Sequence, residues 1–359
     1  MARILYGIHG TGHGHAMRGL TIARMFREHE FLFVTNDDAP AVLEPEFPVY
    51  RIPNLGTVFS NYAVDMRRTI LRALPTLWNR KRILKNLAEC VRDFMPTVCM
   101  TDLEYFVPQA ARFFDLPCLT LDHQHIITVC RHDLPPRLWW DAFLQGLTPK
   151  YLFRPTDPAL IVSFYAPPLL PKSRARIVPP LLRKRVLAAK PEEGEHILVY
   201  QSNSTHAALI PFLKQVTQRT CYVYGYPKRQ EKSGNIVFME KSEDGFLDHL
   251  RTAAYVIQGG SHTLMSEAFF LGKPVLSLPV SAMVEQRFNA LYLERLGFGM
   301  QASMAELSPS LFARFEERLP EFRRALLLAA HEERLCGNAL IGRLVGSFIE
   351  TQNPLSVYE

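Results

Sequence analysis

The sequence predicts an α/β protein made of two doubly wound, Rossmann-like domains, with helices at its C-terminal end. Three observations carry this. Short apolar runs of strand length alternate with stretches of helical periodicity. A glycine-rich loop follows the first strand and a Gly-Gly turn follows a later one. A proline-rich, basic stretch, Ala166 to Lys190, interrupts the alternation, which then restarts. The expected layout is a first domain over 1–168, a linker over 169–194 and a second domain over 195–359.

The bulk properties allow this and exclude several classes. The chain has 359 residues, 48% hydrophobic and 21% charged, in the range of a globular protein with two cores. No apolar run approaches the roughly 20 residues of a spanning helix. The N-terminus runs straight into a strand without a signal peptide's apolar block, so a cytoplasmic protein is expected. Its six cysteines are scattered without CxxC or zinc spacing, which suits reduced thiols. A net charge of +6 permits an anionic partner, but the basic residues form no nucleic-acid module.

In the first half, residues 2–8 read as a strand, GTGHGHAMRG as a loop, Leu20 to Phe26 as a helix and Phe31 to Val34 as the next strand. Gly10, Gly12 and Gly14 partly match a dinucleotide fingerprint, and Asp37 and Asp38 stand where its acid would be. The last G-x-x-G spacing is missing, and His13, His15 and Arg18 would crowd a pyrophosphate turn. Residues 63–94 read as helical with an interruption at Pro75. Their Arg and Lys interleave with Leu and Trp, which suits either an anionic membrane surface or a solvated helix face. Two further strands end in polar clusters, Thr101-Asp102-Leu103-Glu104 and Asp122-His123-Gln124-His125. Such ends line the ligand crevice of an open sheet, or else form turns and caps.

In the second half, strands are expected at 197–200, 221–224, 236–238, 255–257 and 275–278, and helices fill most of 309–350. The stretch from Tyr255 to Gly299 organises this half. Gly259 and Gly260 allow close backbone approach, and the helix after them offers free N–H groups and a positive dipole end, which favours phosphate. Glu267 on that helix and Gln286 beyond it suit hydroxyl-rich groups. An anion site beside a polyol site is the chemistry of a nucleotide sugar.

With G-x-G-H-x-x-R in the first half and G-G…T…E-A…G-K-P-V…P…E-Q…N-A…L…G in the second, the chain resembles GT-B glycosyltransferases over nearly its whole length. The branch it most resembles contains the lipid II-forming N-acetylglucosaminyltransferase and its uncharacterised relatives. The resemblance implies an acceptor domain and a nucleotide-sugar domain facing a cleft. It implies an inverting transferase without a further cofactor, working from a uridine diphosphate donor onto a hydroxylated acceptor; the lack of an Asp-x-Asp motif points to metal independence, and the basic, Leu- and Trp-bearing stretch from Arg67 to Arg92 to a lipid-linked or cell-envelope acceptor. Cytoplasmic action at the inner face of a membrane would fit. It places the ribose on Glu267, sugar hydroxyls on Glu285, Gln286 and Asn289, and the diphosphate on Gly259, Gly260, Ser261 and Thr263, with Ser202, Asn203 and Ser204 nearby. The base would sit near Phe238, Met239 and Glu240. From the second glycine to Glu267 there is one position more than the commoner pattern, so the phosphate contact stays open among Ser261, His262 and Thr263. In the first domain the resemblance aligns His15 with the loop histidine, His13 being the substitute.

His15 suits a general base. A carboxylate would orient its ring, with Asp102 the first candidate and Glu104 and Asp122 behind it. Gly14, His13, Arg18, Glu104, Asp122 and His123 fall on the acceptor side. Two other functions share these features: a nucleotide-sugar hydrolase, in which His15 activates water, and a non-catalytic nucleotide-sugar-binding protein.

Overall fold

The computed structural model describes the whole chain except residues 12, 56–58, 61, 62, 65, 202, 227–230, 241, 281, 282 and 359. For 59, 60, 63, 64, 66, 67, 70, 203–207, 354 and 355 it describes the backbone alone. The chain forms two compact units: Met1–Phe59, Val64–Arg183 and Gly337–Glu359 in the first, Ser60–Ala63 and Lys184–Cys336 in the second.

The first unit begins with β1 (Arg3–Ile8), α1 (His13–Met25), β2 (Glu30–Thr35), α2 (Pro40–Leu43) and β3 (Val49–Arg51). The short strands β4 (Phe59–Ser60) and β5 (Ala63–Val64) form a sheet of their own before α3 (Met66–Trp78) and α4 (Arg80–Phe94). Pro75 lies inside α3 rather than interrupting the helical stretch there. Then come β6 (Val98–Asp102), α5 (Val107–Phe113), β7 (Cys118–Asp122), α6 (Ile126–Val129), α7 (Pro136–Leu147), β8 (Ala159–Val162) and β9 (Ala175–Val178). The seven-stranded sheet has the order β3-β2-β1-β6-β7-β8-β9, with parallel neighbours throughout. Chain order reverses between β1 and β6, and there Ile8 pairs with Asp102. That switch point is where open sheets of this kind bind ligands.

The second unit opens with α8 (Lys184–Ala188) and continues with β10 (Ile197–Tyr200), α9 (Asn203–Val216), β11 (Cys221–Tyr224), β12 (Glu231–Ser233), β13 (Ile236–Phe238), α10 (Glu243–Thr252) and β14 (Tyr255–Gln258). After these come α11 (His262–Phe270), β15 (Val275–Ser277), α12 (Val284–Arg295), β16 (Gly299–Gln301), α13 (Pro309–Glu317) and α14 (Leu319–His331). Its sheet, β12-β13-β11-β10-β14-β15-β16, is parallel except for the edge strand β12. The switch point lies between β10 and β14, so the Gly-Gly turn leaves the sheet there.

Two expected boundaries shift. The stretch expected as a linker, 169–194, contains β9, which joins the first sheet beside β8 with Ile161 opposite Ile177. Ala175 and Val178 are buried there, and the flanking prolines bound an edge strand, a position that tolerates them. The last helix, α15 (Asn338–Thr351), was expected in the second domain and belongs to the first unit. Its Ile341, Leu344, Val345 and Phe348 share one core cluster with Leu20, Ile22 and Phe26 of α1. Gly342 and Gly346 allow this: a Cβ on Gly342 would sit 3.0 Å from Met25 Cε, and one on Gly346 3.3 Å from the Phe26 ring.

Candidate active site

The ladder that sets Ile8 beside Asp102 brings two sequence-distant groups together. His9 N–H donates to the Asp102 carbonyl (2.9 Å), closing the end of β1 onto β6. α1 then rises from the same edge, and its buried His15 donates from Nδ1 to Asp102 Oδ1 at 2.7 Å. This is the histidine–carboxylate pair the sequence led us to expect, formed on His15. With Nδ1 as the donor, Nε2 keeps its lone pair, which accepts from Gln124 Nε2 at 3.1 Å. Asp102 has no solvent exposure. Burial disfavours its charge, but Arg18 and His15 outweigh burial and hold the carboxyl at about 2. Asp102 is therefore a permanent anion that orients the ring.

Arg18 departs from expectation. It lies one turn after His15 on α1, and its Nε and Nη2 donate to the two Asp102 oxygens at 2.7 and 3.0 Å. Burial would lower its pKa, but the Asp102 charge and hydrogen bonds raise it instead. Through Nε and Nη2 the guanidinium is committed to Asp102, as a buried cation must be matched. Glu104 departs too. Its oxygens accept from Phe106 N–H (2.8 Å) and Val107 N–H (2.6 Å), capping the start of α5. Burial lifts its carboxyl to about 7 even so.

Asp122 serves another histidine: His125 donates to it from both backbone N–H and Nδ1, and from Nε2 to the Phe153 carbonyl at 2.6 Å. Burial works against the charged form of His125, but Asp122 raises its pKa. His123 donates from Nδ1 to the Val162 carbonyl at 2.9 Å. Asp122 thus orients His125 at the end of β7, and His123 ties that end to β8. His13 opens α1, and Gly14 follows it.

Sequence reasoning gave no role to His9. Its ring packs edge-on to His15 with centroids 5.2 Å apart. Burial and the nearby His15 push its pKa down to about 3, so it is neutral.

In the second unit the turn is built as the glycines require. Gly260 has φ +106°, and a Cβ on it would lie 2.7 Å from Gln286 Cβ. Gln258, the last residue of β14, accepts through Oε1 from Gly260 N–H (3.0 Å) and Ser261 N–H (2.7 Å). Two amides expected to face phosphate are therefore matched internally. The donors left for an anion are those of the first turn of α11, where Thr263 lies and where the N-cap Ser261 makes no side-chain cap.

Asn289 is also corrected. It is fully buried and donates from Nδ2 to the Gly260 carbonyl at 3.0 Å, so it clamps the turn. Gln286 Oε1 accepts from Val280 N–H at 3.1 Å, and Glu285 lies in the first turn of α12. Glu267 is 3% exposed, so little of it meets solvent. The Phe238 ring sits in the hydrophobic core and Met239 N–H bonds the Val223 carbonyl at 2.9 Å, so a base near them must use other groups. Asn203 and Ser204 start α9 at the end of β10, while Ser202 lies outside the described residues.

Two switch points, one with an oriented histidine and one with a glycine turn before a helix, define a two-unit α/β group-transfer enzyme. Residues 2–320 match the family described as Glycosyl transferase family 1, and the chain belongs to it. Among curated proteins it is 24% identical over 336 residues to an uncharacterised glycosyltransferase of Methanosarcina mazei, covering 84% of this chain and 86% of that one. One from Methanopyrus kandleri is 26% identical over 300 residues, covering 78% and 84%.

The fold matches solved structures over nearly full length. The kitacinnamycin glycotransferase has a TM-score of 0.70 at 16% identity, covering 97% of this chain and 99% of that one. Acinetobacter baumannii MurG has 0.61 at 15%, covering 98% and 100%. VinC in complex with dTDP has 0.65 at 14%, covering 98% and 100%. The protein is a glycosyltransferase of the GT-B fold.

Proposed function

We propose that the enzyme moves a sugar, with inversion and without a metal, from a uridine diphosphate donor on the second unit to a hydroxyl presented on the first. The carrying observation is the 2.7 Å bond from His15 Nδ1 to a fully buried Asp102, which leaves Nε2 as the basic nitrogen. In the proposed step the acceptor hydroxyl displaces Gln124 from Nε2 and gives its proton there as its oxygen attacks the anomeric carbon. The bond from that carbon to the diphosphate oxygen breaks, and its electron pair leaves with the nucleoside diphosphate. The first-turn amides of α11 would stabilise that charge, and Glu267 would hold the ribose. VinC with dTDP supports a nucleoside-diphosphate donor by analogy of fold. No Asp-x-Asp motif stands where such a fold would use one to bind a metal, and no cofactor beyond the donor is called for.

A lipid-linked acceptor at an anionic membrane surface is part of the proposal. On α3, Leu71, Leu74 and Trp78 are exposed beside the basic Arg68 and Arg72; on α7, Trp139, Trp140 and Phe143 are exposed. In α4 the buried residues are Ile83, Leu87 and Val91, which leaves its basic residues outward. Among the described residues no helix is long and apolar enough to cross a membrane.

The test is turnover. The wild type should release uridine diphosphate from a UDP-sugar when acceptor is supplied, and His15→Ala should bind the donor as before while losing about 10²–10⁴-fold in rate. Rapid release of free sugar without acceptor would instead make the enzyme a hydrolase. Donor binding with no turnover in the wild type would make it a binding protein.

A further inference from the structure

At the switch point of the second unit one aromatic ring is left uncovered. Tyr200 ends β10, and while Ile197, Leu198 and Val199 before it are buried, Tyr200 is 36% exposed. Its ring is held in place. Phe246 of α10 meets it edge-on with centroids 5.8 Å apart, and Phe246 is itself set edge-on to the buried Tyr224 at 5.0 Å. The opposite edge of the ring, at Cε2, lies against Gly225, 3.6 Å from where a Cβ would stand. Register sets this ring beside the glycine turn. Tyr200 pairs with Gln258 across the parallel ladder, so both side chains leave the same face of the sheet, on strands about 4.8 Å apart. Gln258 is the residue whose Oε1 holds the Gly260 and Ser261 amides at the head of α11. Phe238, the aromatic residue expected beside the base, has its ring in the core instead.

We propose that the exposed face of the Tyr200 ring stacks on the nucleobase of the donor. The inference rests on the second unit holding a nucleoside diphosphate at the head of α11. Strand order then points to the occupant. This part of the sheet runs β11-β10-β14-β15. The turn assigned to the diphosphate follows β14, and Glu285 and Gln286, assigned to the sugar hydroxyls, stand on α12, which follows β15. Tyr200 lies on the other side of the turn, with β10. With the sugar toward β15 and the diphosphate at β14, the end of the donor that falls toward β10 is the base. A base presents a flat π-face, and an aromatic ring held at its edges answers it by offset stacking. Every base has such a face, so the contact adds affinity for the nucleoside and leaves the choice among bases to polar groups.

The probes are uridine diphosphate and inorganic pyrophosphate, titrated by calorimetry into the full chain as wild type, Tyr200→Phe and Tyr200→Ala. Tyr200→Ala should weaken uridine diphosphate by about 5- to 150-fold and leave pyrophosphate unchanged. Tyr200→Phe, which keeps the ring, should bind both as the wild type does. Ligand-observed NMR adds a direct reading: the uracil ring protons should move upfield on binding to the wild type, under the ring current of a stacked tyrosine. Unchanged binding in Tyr200→Ala, an equal loss for both ligands, a loss in Tyr200→Phe as large as in Tyr200→Ala, or uracil protons that do not move upfield would each overturn the proposal. The wild-type NMR result stands even if a variant fails to fold. Uridine diphosphate that binds without the upfield movement sinks this assignment alone. A wild type that binds no nucleoside diphosphate sinks the donor reading, and this inference with it.

Discussion

Replacing Asp102 by Asn tests the electrostatic core of the site. The carboxylate is buried without exposure and bonded to His15 Nδ1, Arg18 Nε and Arg18 Nη2. Its displacement from 3.8 to about 2 is worth about 2 kcal/mol. The folded value lies below the unfolded one, so this stability is present above about pH 4 and is lost as pH falls through about 2. Asn loses more than that, because Arg18 is left as a buried cation without a counter-charge, a situation that costs about 3–5 kcal/mol. The asparagine keeps one acceptor oxygen, which places the expectation near the lower figure, a fall in melting temperature of about 6–12 °C. The double variant Arg18→Met/Asp102→Asn removes both charges and should recover most of the loss, since contacting residues couple. Scanning calorimetry at pH 7 on the wild type, both single variants and the double variant reads all of this. A single-variant shift under about 2 °C, or a double variant that loses the sum of the two, would refute the ion-pair reasoning.

Gly260→Ala should destabilise by about 1–3 kcal/mol and weaken donor binding, because φ +106° suits glycine and the new Cβ would meet Gln286; denaturant melts paired with a donor titration check it. His125→Leu should cost about 3–5 kcal/mol by leaving Asp122 buried and uncompensated, measured by urea unfolding. In the wild type the raised pKa of His125 gives stability that is whole at low pH and declines as pH rises through the folded value. The melting temperature of the wild type should therefore fall more steeply across that range than that of the double variant His125→Phe/Asp122→Asn, which carries neither charge. Neutralising Arg80, Lys81 and Arg82 together should weaken co-sedimentation with anionic vesicles by about 1 kcal/mol per charge near the surface, and unchanged binding would remove the membrane from the proposal.

The doubly wound halves, the glycine turns and the His15–Asp102 pair were legible because each is carried by local pattern. Strand runs and loop residues announce themselves, and an acid at the end of a strand points at a crevice. What stayed hidden needed knowledge of partners. Arg18 was placed on the acceptor side, although its position one turn from His15 on α1 puts both on one helix face, where they share Asp102. Glu104 carried a usable signal: Pro108 marks the first turn of a helix, and an acid just before such a turn is a cap. Asn289 looked like a ligand group and Gln258 drew no expectation, and the fold spends both on the Gly-Gly turn, Asn289 on its carbonyl and Gln258 on its amides. Nothing local could show α15 returning to the first core, because its apolar stripe would fit either unit. The same blindness hid β9 among prolines that read as a linker.

Glu267 is where the account is most open to contradiction, since the ribose contact asks for a carboxylate edge that a donor can reach and the residue is 3% exposed. The direct measurement is the melting temperature of the wild type and Glu267→Ala with uridine diphosphate and its sugars. Saturating ligand at a hundred times its Kd should add about 2.7 kcal/mol to the wild type and almost nothing to the variant. An equal shift in both proteins, or no shift with any nucleoside diphosphate, would contradict it.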